Sequence, residues 1–290
     1  MSVPPSAGEL LRRWRRSRQL SQLDLACEAG ISARHVSFME TGRSVPSREM
    51  VLRLAEQLEI PLRERNNLLL AAGYAPAFRE SRLDHADLRE VVQAVQLILS
   101  GHEPYPALAF DRHWTIVAAN NATNRLLKVV TAELLQPPVN ILRAALHPQG
   151  LAPHIQNLEE WRVYTFRRLQ RQIDLTDDPV LRDLLRELSG YPHKYAGHHT
   201  PSLGQSDLSK ASYIGLVVRL RLVVEGTVLS FFSASTVLGG PVDITLSELA
   251  IESFFPADQS TAHALQKLAQ TGLGASKPER ASDGPMEISR

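Results

Sequence analysis

Three side chains with binding chemistry stand out in residues 20–47, LSQLDLACEAGISARHVSFMETGRSVPS. Two short apolar helical patterns surround Gly30, and the second leaves Arg34, Ser37 and Phe38 outside its apolar positions. A guanidinium fork can donate two hydrogen bonds to a base edge, a hydroxyl can donate or accept one, and an aromatic ring offers an apolar face. The pattern predicts that these side chains contact a partner rather than fill a core.

An arginine-rich run precedes this stretch. Residues 11–19, LRRWRRSRQ, contain no acid, and their basic side chains are Arg12, Arg13, Arg15, Arg16 and Arg18. Most charge runs are solvated helix faces, and the net charge of +1 over 290 residues favours no particular partner. Beside a nucleic-acid reader the run gains weight, because neutralising phosphates supplies most of the non-specific affinity.

Five helices have to position these residues. Apolar spacing and capping residues predict them over residues 8–19, 21–29, 32–41, 47–58 and 61–73. A helix-turn-helix needs a small residue where its helices cross, a turn residue that tolerates positive φ, and apolar anchors. The chain supplies these in order as Ala26, Gly30, Ile31, Val36 and Met39. The unit is therefore predicted to bind DNA, with a structural helical bundle or a protein-docking module as the alternatives.

The same stretch resembles the repressor-type helix-turn-helix of the XRE family in its Ser-Gln opening, its Gly-Ile-Ser turn and its Glu-Thr-Gly-Arg exit. The resemblance implies that the third helix enters the major groove. It places Ala33, Arg34, Ser37 and Phe38 at base-reading positions and Gln22, Ser32 and Arg43 at phosphate contacts.

Of these residues, Arg34 is the best candidate for base reading, because it can contact guanine with two hydrogen bonds. The alternatives for Arg34 are a solvent-exposed side chain or a phosphate clamp. Ala33 and Phe38 could meet only a thymine methyl group or fill space. We expect Glu40 to be structural, and His35 could face either the groove or the core.

The second half of the chain has a different texture. Residues 107–120 predict two short strands around a turn at Asp111 and Arg112, and residues 212–238 predict a long antiparallel hairpin turning at Glu225 and Gly226. Its first strand alternates apolar residues on one face at Ile214, Leu216, Val218, Leu220, Leu222 and Val224. Helices are predicted between the hairpins, over residues 155–173 and 178–188. Helices inserted between strand pairs indicate an α+β domain.

Three segments of this half resemble the MmyB-like regulators, whose C-terminal sensor domain is similar to a PAS fold. They are EPYPALAFDRHWTIVAANNATNRLL, LHPQGLAPHIQNLEEW and GTVLSFFSASTVLGGPVDITLSELAIESFFPAD. The predicted fold class is an all-α helix-turn-helix domain of five helices followed by an α+β PAS-like domain with an antiparallel sheet. The predicted divisions are a DNA-binding domain over 1–75, a linker and connecting helix over 76–103, the sensor over 104–265 and a disordered tail over 266–290.

The resemblance implies a cavity suited to a small apolar ligand such as a fatty acid. No cofactor is expected beyond such a bound apolar molecule. Candidate lining residues are Trp114, Ile116, Trp161, Phe166, Leu169, Phe231 and Phe232. Each could equally be an ordinary core residue. Alternation along a strand allows only one of Phe231 and Phe232 to face such a cavity. An acyl carboxylate would need a donor, and Arg162, Arg167, Arg168, His147 and His154 are available without a basis for choosing among them.

Other chemistry has little support in the sequence. His193, His198 and His199 stand close together without a carboxylate or cysteine at ligand spacing, so we expect a loop rather than a metal site. No hydrolase, phosphate-binding or metalloprotease motif occurs, and an enzyme is not expected. The lone Cys27 favours a reducing cytoplasm and is expected to pack. We expect a cytoplasmic homodimer that binds double-stranded operator DNA and an apolar ligand without membrane contact; alternatively, the second domain serves only dimerisation or protein docking.

Overall fold

Within residues 5–81, the computed structural model folds into five short helices. It describes residues 5–81, 88–176, 178–192, 218–237 and 243–273. The helices are α1 (Ala7–Ser17), α2 (Gln22–Ala29), α3 (Ala33–Glu40), α4 (Arg48–Gln57) and α5 (Leu62–Ala71). Ser6, Ser21, Ser32 and Ser47 cap the first four, each accepting a hydrogen bond from the backbone N–H three residues later. The predicted five-helix unit is confirmed.

Two glycines fix how these helices meet. Gly30 ends α2 at φ 63°, in the left-handed region that a side chain disfavours, and so starts the turn into α3. Gly8 lies against the end of α3, where a Cβ would collide with the carbonyl oxygen of Met39. The core beneath is closely filled by Trp14, Leu25, Val36, Met39, Leu54 and Leu69 with their neighbours.

The rest of the described chain forms an α+β domain around a five-stranded antiparallel sheet, in the order β2-β1-β5-β4-β3. The strands are β1 (Ala107–Phe110), β2 (Ile116–Ala119), β3 (Leu220–Val224), β4 (Thr227–Val237) and β5 (Ala250–Pro256). The helices are α6 (Arg89–Gly101), α7 (Asn121–Leu126), α8 (Ile141–Leu146), α9 (Leu158–Thr176), α10 (Pro179–Ser189), α11 (Ile244–Ser247) and α12 (Gln259–Leu273). The predicted fold class is confirmed.

The two faces of this sheet have separate cores. Leu108 and Phe110 of β1 point to the face covered by α8, α9 and α10, which holds the larger core. Ala107 and Ala109 point the other way, where Val95 and Leu99 of α6 pack on them. Helix α6, assigned from its pattern to the connection, thus covers the outer face of the sheet.

Most predicted elements are present, with shifted ends. Both predicted hairpins form, with the second turning at Glu225 and Gly226. The described part of its first strand begins at Leu220, and Ile214 and Leu216 lie outside the described residues, as do His193, His198 and His199.

The predicted tail is wrong for residues 266–273, because α12 continues through them. That helix packs on the sheet through Leu265, and its Thr261 hydroxyl accepts a hydrogen bond from the backbone of Ser230. Residues 274–290 lie outside the described part of the chain.

Candidate functional site

The outer surface of α3 carries an aromatic ring flanked by two cations. The guanidinium of Arg34 lies 5.1 Å from the ring centroid of Phe38, and that of Arg43 lies 5.8 Å from the same centroid. Arg34 and Arg43 are exposed, and Phe38 is partly buried. Such cation–π contacts orient long side chains that solvent would otherwise leave free. Phe38 therefore serves as a platform that holds both arginines at the outer face of α3.

A buried ion-pair network fixes α3 from beneath. The fully buried carboxylate of Glu40 accepts two hydrogen bonds from Arg15, at 2.6 and 3.0 Å. Gln22 donates to it at 2.8 Å, and Arg12 donates at 3.4 Å. Burial raises the pKa of Glu40, but the bonds from Arg15, Gln22 and Arg12 outweigh burial, so the pKa lies below its usual range. The expectation that Glu40 is structural is confirmed.

This network changes the interpretation of the arginine run. Arg15 is buried, and it also donates to the carbonyl of Leu20 at 2.7 Å. Arg18 donates to the carbonyls of Leu58 and Glu59 at 2.8 and 2.9 Å. These two side chains hold helices together and do not form a solvated face.

The free cysteine Cys27 on α2 is exposed. The prediction that its side chain packs in the core is therefore wrong.

The second candidate site is an apolar cavity of about 90 Å³ between the sheet and α7 to α9. Of the residues predicted to line a ligand pocket, Trp114, Trp161 and Phe231 lie along its wall. Leu169 instead lies in the core, and Ile116 and Phe166 pack at the core's edge. Phe231 points inward and is fully buried. Phe232 follows it on the strand and carries Arg219 against its ring, outside the set of lining residues.

Only one of the five candidate head-group donors lines this cavity: among the described residues, Arg168 does so and the other four do not. Arg162 is 6% exposed and lies over the ring of Phe166, and burial lowers its pKa. His147 packs edge-on against Tyr191. Arg168 pairs with Glu252 of β5, a residue that was not anticipated. Its signal was a single acid inside the apolar strand AIESFFP.

A tight turn connects the cavity wall to the molecular surface. Trp114 has φ 66° and stacks on Phe110 with ring centroids 4.7 Å apart. Its indole N–H donates to Gln172 at 2.9 Å, and the Gln172 amide donates to the carbonyl of Arg112 at 2.6 Å. The Asp111 carboxylate accepts the backbone N–H groups of residues 113 and 115, both at 2.8 Å. Gln172 therefore links the indole of Trp114 to the backbone carbonyl of Arg112.

On its outer side this turn meets the contact between the two domains. Arg112 lies 3.6 Å from the carboxylate of Glu248, just before β5. Arg63 of α5 donates to the same carboxylate at 2.7 and 2.9 Å and also pairs with Glu80. These bonds to Glu248 raise the pKa of Arg63. Near these ion pairs, the backbone N–H of Ile244 donates to the carbonyl oxygen of Arg79 at 2.8 Å.

Two features are absent from the described part of the chain. No helix there is long and apolar enough to span a membrane. No group of three or more His, Cys, Asp or Glu side chains in those residues is placed to hold a metal ion.

Comparison with known families agrees with this two-domain arrangement. A helix-turn-helix domain model matches residues 6–68, and a model described as the MmyB-like transcription regulator ligand binding domain matches residues 91–268. With the fold described above, the matches define a helix-turn-helix transcriptional regulator with a C-terminal domain of ligand-binding type. The chain belongs to the family of MmyB-like transcription regulators, because the second match covers more than half of it.

Two curated relatives come from Bacillus subtilis (strain 168). The HTH-type transcriptional repressor RghR is 40% identical over 78 residues, covering 27% of this chain and 56% of the relative. The uncharacterized HTH-type transcriptional regulator RghRB is 35% identical over 92 residues, covering 31% of this chain and 60% of the relative. This chain therefore spans little more than half the length of either relative.

One solved structure is that of an RNA-binding light-oxygen-voltage receptor. The alignment covers 92% of this chain and 62% of the receptor chain. Its TM-score of 0.26 and identity of 11% are too low to support an argument.

Proposed function

We propose that the protein is a cytoplasmic, sequence-specific DNA-binding regulator whose C-terminal domain senses a small apolar ligand. The DNA-binding part of the proposal rests on the outer face of α3. There Arg34 reads a base edge, while Ser37, Ala33 and Phe38 face the groove around it. Arg43 and the helix cap Ser32 meet phosphates. Gln22 reaches a phosphate only with the part of its amide that Glu40 does not use.

The sensing part rests on one observation, the apolar cavity inside a domain whose family is named for ligand binding. Its volume of about 90 Å³ is below the roughly 300–1,000 Å³ of most ligand sites. A ligand with an acyl-length chain therefore has to displace side chains. Trp114 and Trp161 form large parts of the wall, and we expect them to move.

We propose that this movement is transmitted through the turn at residues 111–114. Displacing the Trp114 indole disturbs its bond to Gln172 and, through Gln172, the position of Arg112. Arg112 shares the Glu248 carboxylate with Arg63 of the DNA-binding domain. Occupancy of the cavity would then change how the two domains are held, which is the physical requirement for a ligand to alter DNA affinity.

The proposed assembly is a homodimer. Two copies would present two α3 helices to half-sites about one helical turn, or a multiple of it, apart. In the second candidate function, the C-terminal domain only dimerises or docks a protein, and the small size of the cavity favours this alternative.

Native mass spectrometry of the protein as purified separates the two functions. A dimer with extra mass, identified after organic extraction as an apolar compound, supports sensing. A dimer that stays empty when incubated with apolar compounds supports the second function. A monomer that stays monomeric on a selected operator contradicts the paired half-site arrangement.

A further inference from the structure

The cavity has one charged corner. Among the described residues that line it, only Arg168 and Glu252 carry charge. The Arg168 guanidinium donates to both carboxylate oxygens of Glu252, each at 3.0 Å. Glu252 is 4% exposed. This corner therefore contains one cation and one anion in a matched two-bond pair, and its charges sum to zero.

Three of the donors of Arg168 are already bonded inside the protein. A guanidinium has five N–H donors, and two bind Glu252 while a third binds the Ser235 hydroxyl at 2.7 Å. The Ser235 hydroxyl in turn donates to Glu252. The guanidinium also lies over the indole of Trp114, 5.0 Å from the ring centroid. The Glu252 carboxylate is thus paired without a ligand.

A neutral polar group is available beside this pair. Thr165 lies one turn before Arg168 on α9 and lines the cavity. It is 5% exposed, and its side chain forms part of the cavity wall. A threonine hydroxyl can both donate and accept. The hydroxyl of Thr123, the other threonine of the wall, is already bonded to the Ala107 carbonyl and to Asn120.

From this geometry we propose that the cavity selects an uncharged amphiphile, such as an alcohol, amide or ester on an apolar chain, over a free carboxylate. The proposal rests on the proposed ligand-sensing function and specifies its ligand class. A carboxylate bound at this corner would share one guanidinium with Glu252 and leave a net negative charge in an apolar cavity. Burying an unmatched charge is costly, whereas an alcohol or amide needs only a partner such as Thr165.

The test compares ligands that share one chain and differ in their head group. Decanol, decanamide and decanoate are titrated into the full chain at neutral pH. The readout is the change in tryptophan fluorescence, to which Trp114 and Trp161 at the cavity contribute beside the distant Trp14. We expect decanol and decanamide to bind at least about tenfold more tightly than decanoate. In Glu252→Gln the Arg168 guanidinium loses its anionic partner. We therefore expect decanoate to bind this variant at least about tenfold more tightly than it binds the wild type.

A matched control removes one carboxylate charge away from the cavity. Glu133→Gln alters an exposed side chain and should leave the order of the three ligands unchanged. Circular dichroism checks that both variants fold, and the wild-type comparison tests the preference without any variant. Tighter binding of decanoate to the wild type would overturn this inference and leave apolar sensing intact. An unchanged preference in folded Glu252→Gln would overturn the role of the ion pair, and failure of all three ligands to bind would overturn the proposed sensing function too.

Discussion

The two domains contain the same chemical unit in opposite surroundings. In the DNA-binding domain, Arg15 donates two hydrogen bonds to Glu40 between packed helices, and Gln22 donates another to the same carboxylate. In the C-terminal domain, Arg168 also donates two hydrogen bonds to Glu252, but this pair lies at the wall of a cavity. The Arg15–Glu40 pair lies between helices with a fully buried carboxylate, so we expect it only to stabilise the fold. The Arg168–Glu252 pair borders a cavity, so we expect it also to influence which ligands bind there.

The largest expected effect breaks the packed pair. Glu40→Ala leaves the Arg15 guanidinium buried without its partner, so we expect a loss of about 3–5 kcal/mol in the free energy of unfolding. Glu252→Ala should cost less, because water can enter the adjacent cavity and solvate Arg168. Urea unfolding of the two full-length variants measures both losses. Equal losses would mean that the two pairs do not differ as described.

The next effect concerns the surface that the packed pair supports. Arg34→Ala is expected to weaken operator binding by about 1–3 kcal/mol and to relax preference at one base position. Arg43→Ala is the matched variant, and as a phosphate contact it should weaken binding to all sequences alike. Fluorescence anisotropy with a selected operator and random DNA tests both variants. An equal loss on the two DNAs for Arg34→Ala would make it a phosphate contact.

A smaller effect is expected at the contact between the domains. Arg63→Gln removes the cation that donates two hydrogen bonds to Glu248, so ligand-induced changes in operator affinity should shrink by at least about threefold. Affinity without ligand should change less. Arg89→Gln, at an exposed position on α6, is the control. Full ligand response in Arg63→Gln, measured by the same anisotropy assay with decanol, would exclude this route of coupling.

The smallest effect is the pH dependence of the packed pair. The pKa of Glu40 is lowered in the folded protein, so its stabilisation is complete above the unfolded pKa and is lost as pH falls through the folded pKa. Part of the stability lost on acidification should therefore be absent in Glu40→Gln. Urea unfolding of both proteins at neutral and acidic pH measures this difference. Parallel losses would show that Glu40 contributes nothing to the acid sensitivity.

Local signals account for what the sequence could predict. Caps such as Ser32 and the turn at Gly30 act within a few residues, and the helices of the first domain follow from them. The hairpins likewise depend on nearby turn residues. Trp114, Trp161 and Phe231 were found at the cavity because large apolar side chains on its flanking elements were the natural candidates.

Features that depend on distant partners could not be predicted in this way. Glu252 pairs with an arginine 84 positions earlier, and only the sheet brings them together. Residues 266–273 were predicted to be tail because the C-terminal segment has few apolar residues, whereas α12 packs on the sheet through Leu265, which precedes them. The burial of Arg15 could not be predicted either. The arginines of residues 11–19 look alike in the sequence, and only the fold places Arg15 against Glu40.

The most direct test of the central claim measures operator affinity of the full chain with and without decanol, on an operator selected from random DNA. We expect saturating decanol to change the affinity by about fivefold or more, because cavity occupancy alters the turn that meets Glu248 and Arg63. Unchanged affinity, with native mass spectrometry showing decanol bound, would contradict it and leave the C-terminal domain a binding module without control over DNA.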